Sequence, residues 1–280
     1  MDPTLVSLPP PLEPSGNWLT RSLTALLKQR RLPTRLARTL DQAKIAIGLP
    51  TKTIRVQGLQ FRVRRLTADE FFVREVVADR QYNPAGFEIN PTDTVVDVGG
   101  NVGAFAIWAG SCASRGRVIT LEPVAENFSL LVRNIRLNRL KHVVPVRAAV
   151  TSQRCSATVY ISPEGTGNHS LLAEFAGRPR GEEHVEGVTL PDVFERYQLD
   201  ACDFLKLDCE GAEYEILYGL APAWFRRIGK LVLEYHTRAS EHKRCQSDNL
   251  VARLQDAGYR IEAYTDVADT NRGMIYARRS

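Results

Sequence analysis

Asp93-Thr-Val-Val-Asp-Val-Gly-Gly-Asn-Val-Gly103 decides how this chain is read. An apolar run ends in Asp97. Gly99, Gly100 and Gly103 follow, and Ala104-Phe-Ala-Ile-Trp-Ala109 then opens a well-packed helix. The pattern predicts a buried strand that turns through glycines into a helix. Such a turn aims backbone N–H groups at a ligand, and glycine lets the ligand come close to the main chain. The spacing Gly99-x-Asn101-x-Gly103 departs from the Gly-x-Gly-x-x-Gly of pyrophosphate-binding folds. A carboxylate ahead of the glycines suits a cationic or hydroxylated head better than two phosphates. A purely structural strand–helix turn stays open as the plainer reading.

Outward from this turn the chain alternates. Arg117–Glu122, Val143–Val150, Phe204–Asp208 and Lys230–Tyr235 read as buried strands, with amphipathic helical stretches between them. Cys155–Ile161 and Val185–Thr189 read as extra strands, and Tyr259–Tyr264 and Met274–Ala277 as a closing pair. This predicts a three-layer α/β/α, Rossmann-like sandwich with a mostly parallel sheet and a terminal antiparallel strand pair. Ligands of such open sheets sit beyond the carboxyl ends of the strands. Asp97, Glu122, Asp208 and Glu234 all fall at such ends. Acids are seldom buried without partners, so four at one sheet edge point to a functional cluster.

Glu122 lies 25 positions after Asp97, at the end of the next strand, with Pro123 turning the chain away. A carboxylate there can accept both hydroxyls of a ribose. For Asp97, contact with a ligand amino group and ordering of the glycine loop both stay open, and Asn101 can bond the ligand or the loop backbone. Asp208 and Glu210, and likewise Glu234 and His236, are two apart and share a face if extended. His236 is then a candidate base, its pKa raised by nearby carboxylates. The same side chains, Asp208, Glu234 and His236, are candidate ligands for Mg²⁺ or Mn²⁺, and a divalent metal stays an open question. Lys206, inside the strand, either pairs with an acid or snorkels out.

Three parts divide the 280 residues: a proline-rich and basic helical N-terminal extension (1–50), a hairpin and helix (51–90) and the α/β domain (91–280). Leu19, Leu23, Leu26 and Leu27 share a helical face, and a second helix is expected over Pro33–Ile47. Between Trp18 and Gly48 seven Lys or Arg face Asp41 alone. Contact of residues 18–48 with a membrane surface or an anionic partner is therefore weighed, but a solvated helix face is preferred. Thr67-Ala-Asp-Glu70 reads as a capping box before a helix that ends near Tyr82. The irregular stretch 162–184 is long for a passive connection and reads as a substrate-facing loop, with Asn168 and His169 as candidate substrate contacts. Five scattered cysteines without Cys-x-x-Cys spacing, no apolar run of membrane-spanning length and no signal-peptide pattern point to a cytoplasmic protein. The net charge of +5 permits an anionic partner without demanding one, and no base-flipping motif follows the fourth strand, so nucleic acid is not an expected partner.

Asp-Thr-Val-Val-Asp-Val-Gly-Gly-Asn-Val-Gly (93–103), Leu-Glu-Pro (121–123), Asp-Phe-Leu-Lys-Leu-Asp-Cys-Glu-Gly-Ala-Glu (203–213) and Leu-Glu-Tyr-His (233–236) together resemble FkbM-type methyltransferases. The resemblance covers roughly residues 80–275, and the Lys-x-Asp-x-Glu-Gly-Ala-Glu block is its most specific part. Two departures are Gly100, where alanine is more usual, and Pro191-Asp192, where the family usually reads Leu-Asp. The resemblance implies a class I methyltransferase sandwich and S-adenosylmethionine as cofactor, with O-methylation of a hydroxylated small molecule, sugar or natural product. It implies a cofactor-binding set of Asp97, Gly99, Gly100, Asn101, Gly103, Glu122, Pro123 and Asn127, and catalytic candidates Asp208, Glu210, Glu234 and His236. N-methylation, protein modification and a non-catalytic binding role stay open as alternatives.

Overall fold

The computed structural model describes residues 34–163, 166–236, 247–267 and 272–279. A helix, α1 (Thr34–Ala46), precedes a hairpin of β1 (Thr51–Val56) and β2 (Leu59–Arg64), which turns at Gly58 as the alternating pattern requires. The leucine face at residues 19–27 lies outside the described residues. Helix α2 (Asp69–Val77) follows, but its expected capping box does not form. Asp69 instead accepts from the backbone N–H and the guanidinium of Arg64, so Ala68 becomes the N-cap without a side-chain bond. Helix α2 also stops before Tyr82.

Among the described residues a seven-stranded sheet has the order β11-β12-β10-β9-β3-β4-β5. Strands β3 (Thr94–Val98), β4 (Arg117–Leu121), β5 (Val143–Val146), β9 (Cys202–Leu207) and β10 (Ile228–His236) run parallel. Strand β12 (Arg272–Arg279) enters antiparallel between β10 and β11 (Tyr259–Val267). Helices α3 (Ala104–Cys112) and α4 (Ala125–Leu137) follow β3 and β4. In sequence order come α5 (Leu190–Arg196), α6 (Glu213–Gly219), α7 (Pro222–Phe225) and α8 (Ser247–Asp256). Two buried clusters fill the space above and below the sheet. One is built around Leu205, Leu207, Leu231 and Tyr235, the other around Val95, Phe105, Ile107 and Phe204. The expected three-layer α/β/α architecture with its terminal antiparallel pair is present.

The strand expected over Val143–Val150 is two strands. Pro145 lacks an N–H and sits on edge strand β5, where only β4 is a neighbour, and the chain then leaves the sheet. Residues Ala149–Val150 (β6) pair with β8 (Gly181–Val188), which also pairs with β7 (Cys155–Ile161) in a separate three-stranded sheet. Strand β8 begins at Gly181, so the irregular stretch is shorter than the expected 162–184. No helix among the described residues is long and apolar enough to cross a membrane.

Candidate active site

The glycine turn is held from below. Gly99 adopts φ +81°, and a Cβ on it would collide with the carbonyl oxygen of Asp208. The loop after β3 therefore touches the loop after β9 backbone to backbone. Gly100 rests over the Thr120 hydroxyl, and Gly103, at φ +93°, over Leu131. Lys206, inside β9, donates to the carbonyl oxygens of Val98 (3.2 Å) and Gly99 (2.7 Å) and lies 3.2 Å from Asp97 Oδ1. Thr120 donates to Asp97 Oδ2 at 2.7 Å. Burial pushes the Lys206 ammonium down, but Asp97 and Asp208 outweigh it and hold its pKa above the usual lysine value. Asp97 is fully buried and lines neither of the two clefts that flank the loop. Its contacts with Thr120 and Lys206 tie it to the turn.

The first cleft is lined by Gly99, Asn101, Glu122, Pro123, Asn127, His169 and the apolar Leu121, Val124, Ala149 and Leu171. Glu122 accepts from the backbone N–H groups of Asn101 (2.7 Å) and Val124 (2.9 Å), and the Asn127 amide lies at 3.4 Å. Burial pushes its carboxyl up to about 7 despite these donors. Asn101 sits in the left-handed region at φ 47°, and its buried Oδ1 has no hydrogen-bond partner. Asn127 also accepts from Arg64 and donates to the Thr166 carbonyl. His169 Nδ1 accepts from the Ser162 N–H at 3.1 Å, and burial, with Arg64 and Arg180, holds its pKa below the usual histidine value.

The second cleft lies across the glycine turn and shares Gly99, Asn101, Gly167, Asp208 and Glu210 with the first. Here the acids gather. Tyr82 Oη lies 2.8 Å from Asp208 Oδ2 and 3.2 Å from Glu234 Oε2. Glu234 also receives Gln81 Nε2 (3.2 Å) and Arg272 Nη1 (3.2 Å). Burial, then Asp208, raises the Glu234 carboxyl above its usual value. His236 Nε2 is 3.4 Å from Glu210 Oε2, and Nδ1 is 3.5 Å from Glu213 Oε1 without hydrogen-bond alignment. Burial pushes the His236 imidazolium down, but Glu210, Glu213 and Glu234 outweigh it and lift its pKa to about 10. Burial lifts Glu210 to about 8, opposed by His236.

Glu234 and His236 share the end of β10, as their spacing requires. Asp208 and Glu210 lie beyond β9, and Glu210 turns back at φ 53°, so an extended segment is not what brings them together. One carboxylate oxygen each from Asp208 and Glu210 and one His236 nitrogen lie within 4.8 Å of one another. This trio has Glu210 where the sequence suggested Glu234, because Glu234 is turned to Arg272, Gln81 and Tyr82. Asn168 lines the second cleft and His169 the first, so the 162–180 loop divides its side chains between them. Sequence reasoning missed Tyr82, Glu75, Gln81 and Arg272. The signal it passed over was the polar pair Gln81-Tyr82 following the apolar helix.

The family model described as the methyltransferase FkbM domain matches residues 97–261. AMB antimetabolite synthetase AmbE of Pseudomonas aeruginosa is 26% identical over 278 residues, covering 86% of this chain but only 13% of the synthetase. Methyltransferase sdnD of Sordaria araneosa is 28% identical, with 75% of this chain and 90% of the relative covered. The 31-O-demethyl-FK506 methyltransferase FkbM of Streptomyces tacrolimicus is 27% identical with the same coverage. Since the FkbM domain match takes in more than half of the 280 residues, the chain belongs to the FkbM methyltransferase family.

Proposed function

We propose that the protein moves the methyl group of S-adenosylmethionine to a hydroxyl of a small-molecule acceptor. The observation that carries this is the meeting of two clefts at Gly99 and Asp208, one walled by Glu122 and apolar side chains, the other by acids and Tyr82. The first suits an adenosine. Glu122 stands ready for the ribose hydroxyls, and Leu121, Val124, Ala149 and Leu171 offer apolar faces to a base. The orphaned Asn101 Oδ1 and the bare Gly99 fit a ligand that touches the main chain. The second cleft receives the acceptor. The name of the FK506-modifying relative, a demethyl-compound methyltransferase acting at an oxygen, supports a hydroxylated small molecule.

The sulfonium supplies an electrophilic methyl, which the acceptor oxygen takes as the carbon–sulfur bond breaks and its electron pair stays on sulfur. The residues of this chain hold the partners in line, and such positioning is worth roughly 7–11 kcal/mol. Asp208 receives the hydroxyl proton, an assistance of ~10²–10⁴-fold. His236 was an equal candidate from sequence, but its three carboxylate neighbours keep the imidazole protonated, so it orients Glu210 instead. Asp208, Glu210 and His236 offer donors suited to a divalent ion, yet no step above runs through one.

Calorimetry with S-adenosylmethionine and its demethylated product, followed by turnover with a panel of hydroxylated acceptors, tests the reading. Saturable heat with both ligands and methyl ethers as products are expected. Absence of heat from a folded sample sinks it. Asp208→Asn should keep the heat and lose turnover; full turnover in that variant removes Asp208 as the base.

A further inference from the structure

Helix α2 turns Phe72, Glu75 and Val76 toward the second cleft, as residues three and four apart must share a helix face. Glu75 is the odd member of the cleft. Its residue is 9% exposed, and its carboxylate has neither a hydrogen bond nor an ion pair among the described residues. Every other acid of the cleft has company. Asp208 has Lys206 and Tyr82, Glu210 has His236, and Glu234 has Arg272, Gln81 and Tyr82. Lys206 also serves Asp97, and Arg272, which is bonded to Glu234, acts on Glu75 only through space, without a hydrogen bond or ion pair to it. The carboxylate is not one of the fully enclosed unpartnered atoms, so it opens on the cleft, and a perturbed acid so placed is a candidate ligand contact. Burial, then the neighbouring Glu234, pushes its carboxyl up to about 7, with Arg272 opposing. Glu75 also precedes the matched family segment, which starts at residue 97.

We infer that Glu75 selects the acceptor, by pairing with an ammonium group that the acceptor carries beside the hydroxyl to be methylated. The cleft's walls agree. Glu75, Asp208, Glu210 and Glu234 line it against Lys206 and Arg272, four carboxyl groups to two cations, and an incoming cation favours the ionised form of the crowded acids. The acceptor class is thus an amino alcohol or amino sugar. A neutral polyol would meet the same hydrogen-bond acceptors but leave the Glu75 charge uncompensated.

This rests on the methyl-transfer reading above, and the test separates the two. The full chain is saturated with S-adenosylhomocysteine and titrated, with NMR detection, with matched probes: 2-aminoethanol against 1,2-ethanediol, and glucosamine against glucose. The amines should bind about tenfold or more tighter at pH 8, as a charge-assisted bond implies. Glu75→Gln should abolish that preference, and Glu75→Asp, which keeps the charge, should retain part of it. Equal binding of amines and polyols, no binding of either amine, or a preference that survives in Glu75→Gln overturns the inference. If S-adenosylhomocysteine itself gives no heat with the unaltered chain, it is the methyl-transfer reading that has failed.

Discussion

The Lys206 ammonium and the Asp97 carboxylate lie 3.2 Å apart on neighbouring parallel strands, with side chains 3% and 0% exposed. Their attraction, with the Val98 and Gly99 carbonyls as further acceptors, fixes the glycine turn. Removing one partner of such a pair leaves an uncompensated buried charge. Lys206→Met is expected to cost ~3–5 kcal/mol of stability. Urea unfolding checks this; a change under 1 kcal/mol would mean the turn is held by backbone geometry alone.

Gly99→Ala introduces a methyl where the Asp208 carbonyl already stands, at a φ that L-residues avoid. The two loops must part. Loss of measurable S-adenosylhomocysteine binding is expected in calorimetry, with a lowered thermal midpoint. Gly58→Ala, at positive φ but with open space around it, is the control and should keep binding.

Glu122→Gln retains the shape of the side chain but not its charge. Hydrogen bonds to a charged group contribute ~1.5–3 kcal/mol, so the dissociation constant for S-adenosylhomocysteine should rise ~10–100-fold. An unchanged constant would place the ribose elsewhere.

Tyr82→Phe removes the hydroxyl that lies between Asp208 and Glu234. Those two acids then face each other without a bridging proton, and Asp208 loses its orientation. Turnover is expected to fall ~10-fold or more while donor binding holds, since a misplaced base forfeits part of its ~10²–10⁴-fold contribution. Steady-state kinetics beside calorimetry decides it, and equal turnover would make Tyr82 a packing residue only.

Apart from His169, whose lowered pKa acts the other way below 6.5, the shifted groups Glu75, Glu122, Glu210 and His236 act in one direction. Glu122 and Glu75 keep their protons to about 7 and Glu210 to about 8, whereas the unfolded chain releases them near the ordinary carboxyl value of 4.5. His236 keeps its proton to about 10 against 6.5 unfolded. In each case the folded chain binds more protons, so stability falls as pH rises. The acids lower it between about 4.5 and 8, and His236 between 6.5 and 10. The thermal midpoint should therefore drop from pH 6 to pH 9, and His236→Gln should flatten the upper part of the curve. A midpoint that climbs over this range would contradict the burial of these groups.

The parallel strands were legible because β3, β4, β9 and β10 are short apolar runs closed by an acid or a glycine turn. The split at Pro145 was less so, since an edge proline is compatible with either one strand or two. On the proposed reading, the donor side of the site could be read from Glu122 and the glycines, whose spacing has a backbone reason. Glu210 came to its place by a left-handed turn that periodicity does not encode. Tyr82 meets Asp208 and Glu234, and Glu75 comes near the same two acids, only through tertiary packing. Such contacts join residues more than a hundred positions apart, and local pattern carries no trace of them.

Phe72, Glu75, Gln81 and Tyr82 all come from the stretch ahead of the matched domain and form one wall of the second cleft. On the proposed reading, methyl supply and the choice of recipient are therefore written in different lengths of chain. A graft of residues 70–86 from one relative to another, which spares Asp69 and its link through Arg64 to Asn127, should carry the recipient's identity with it.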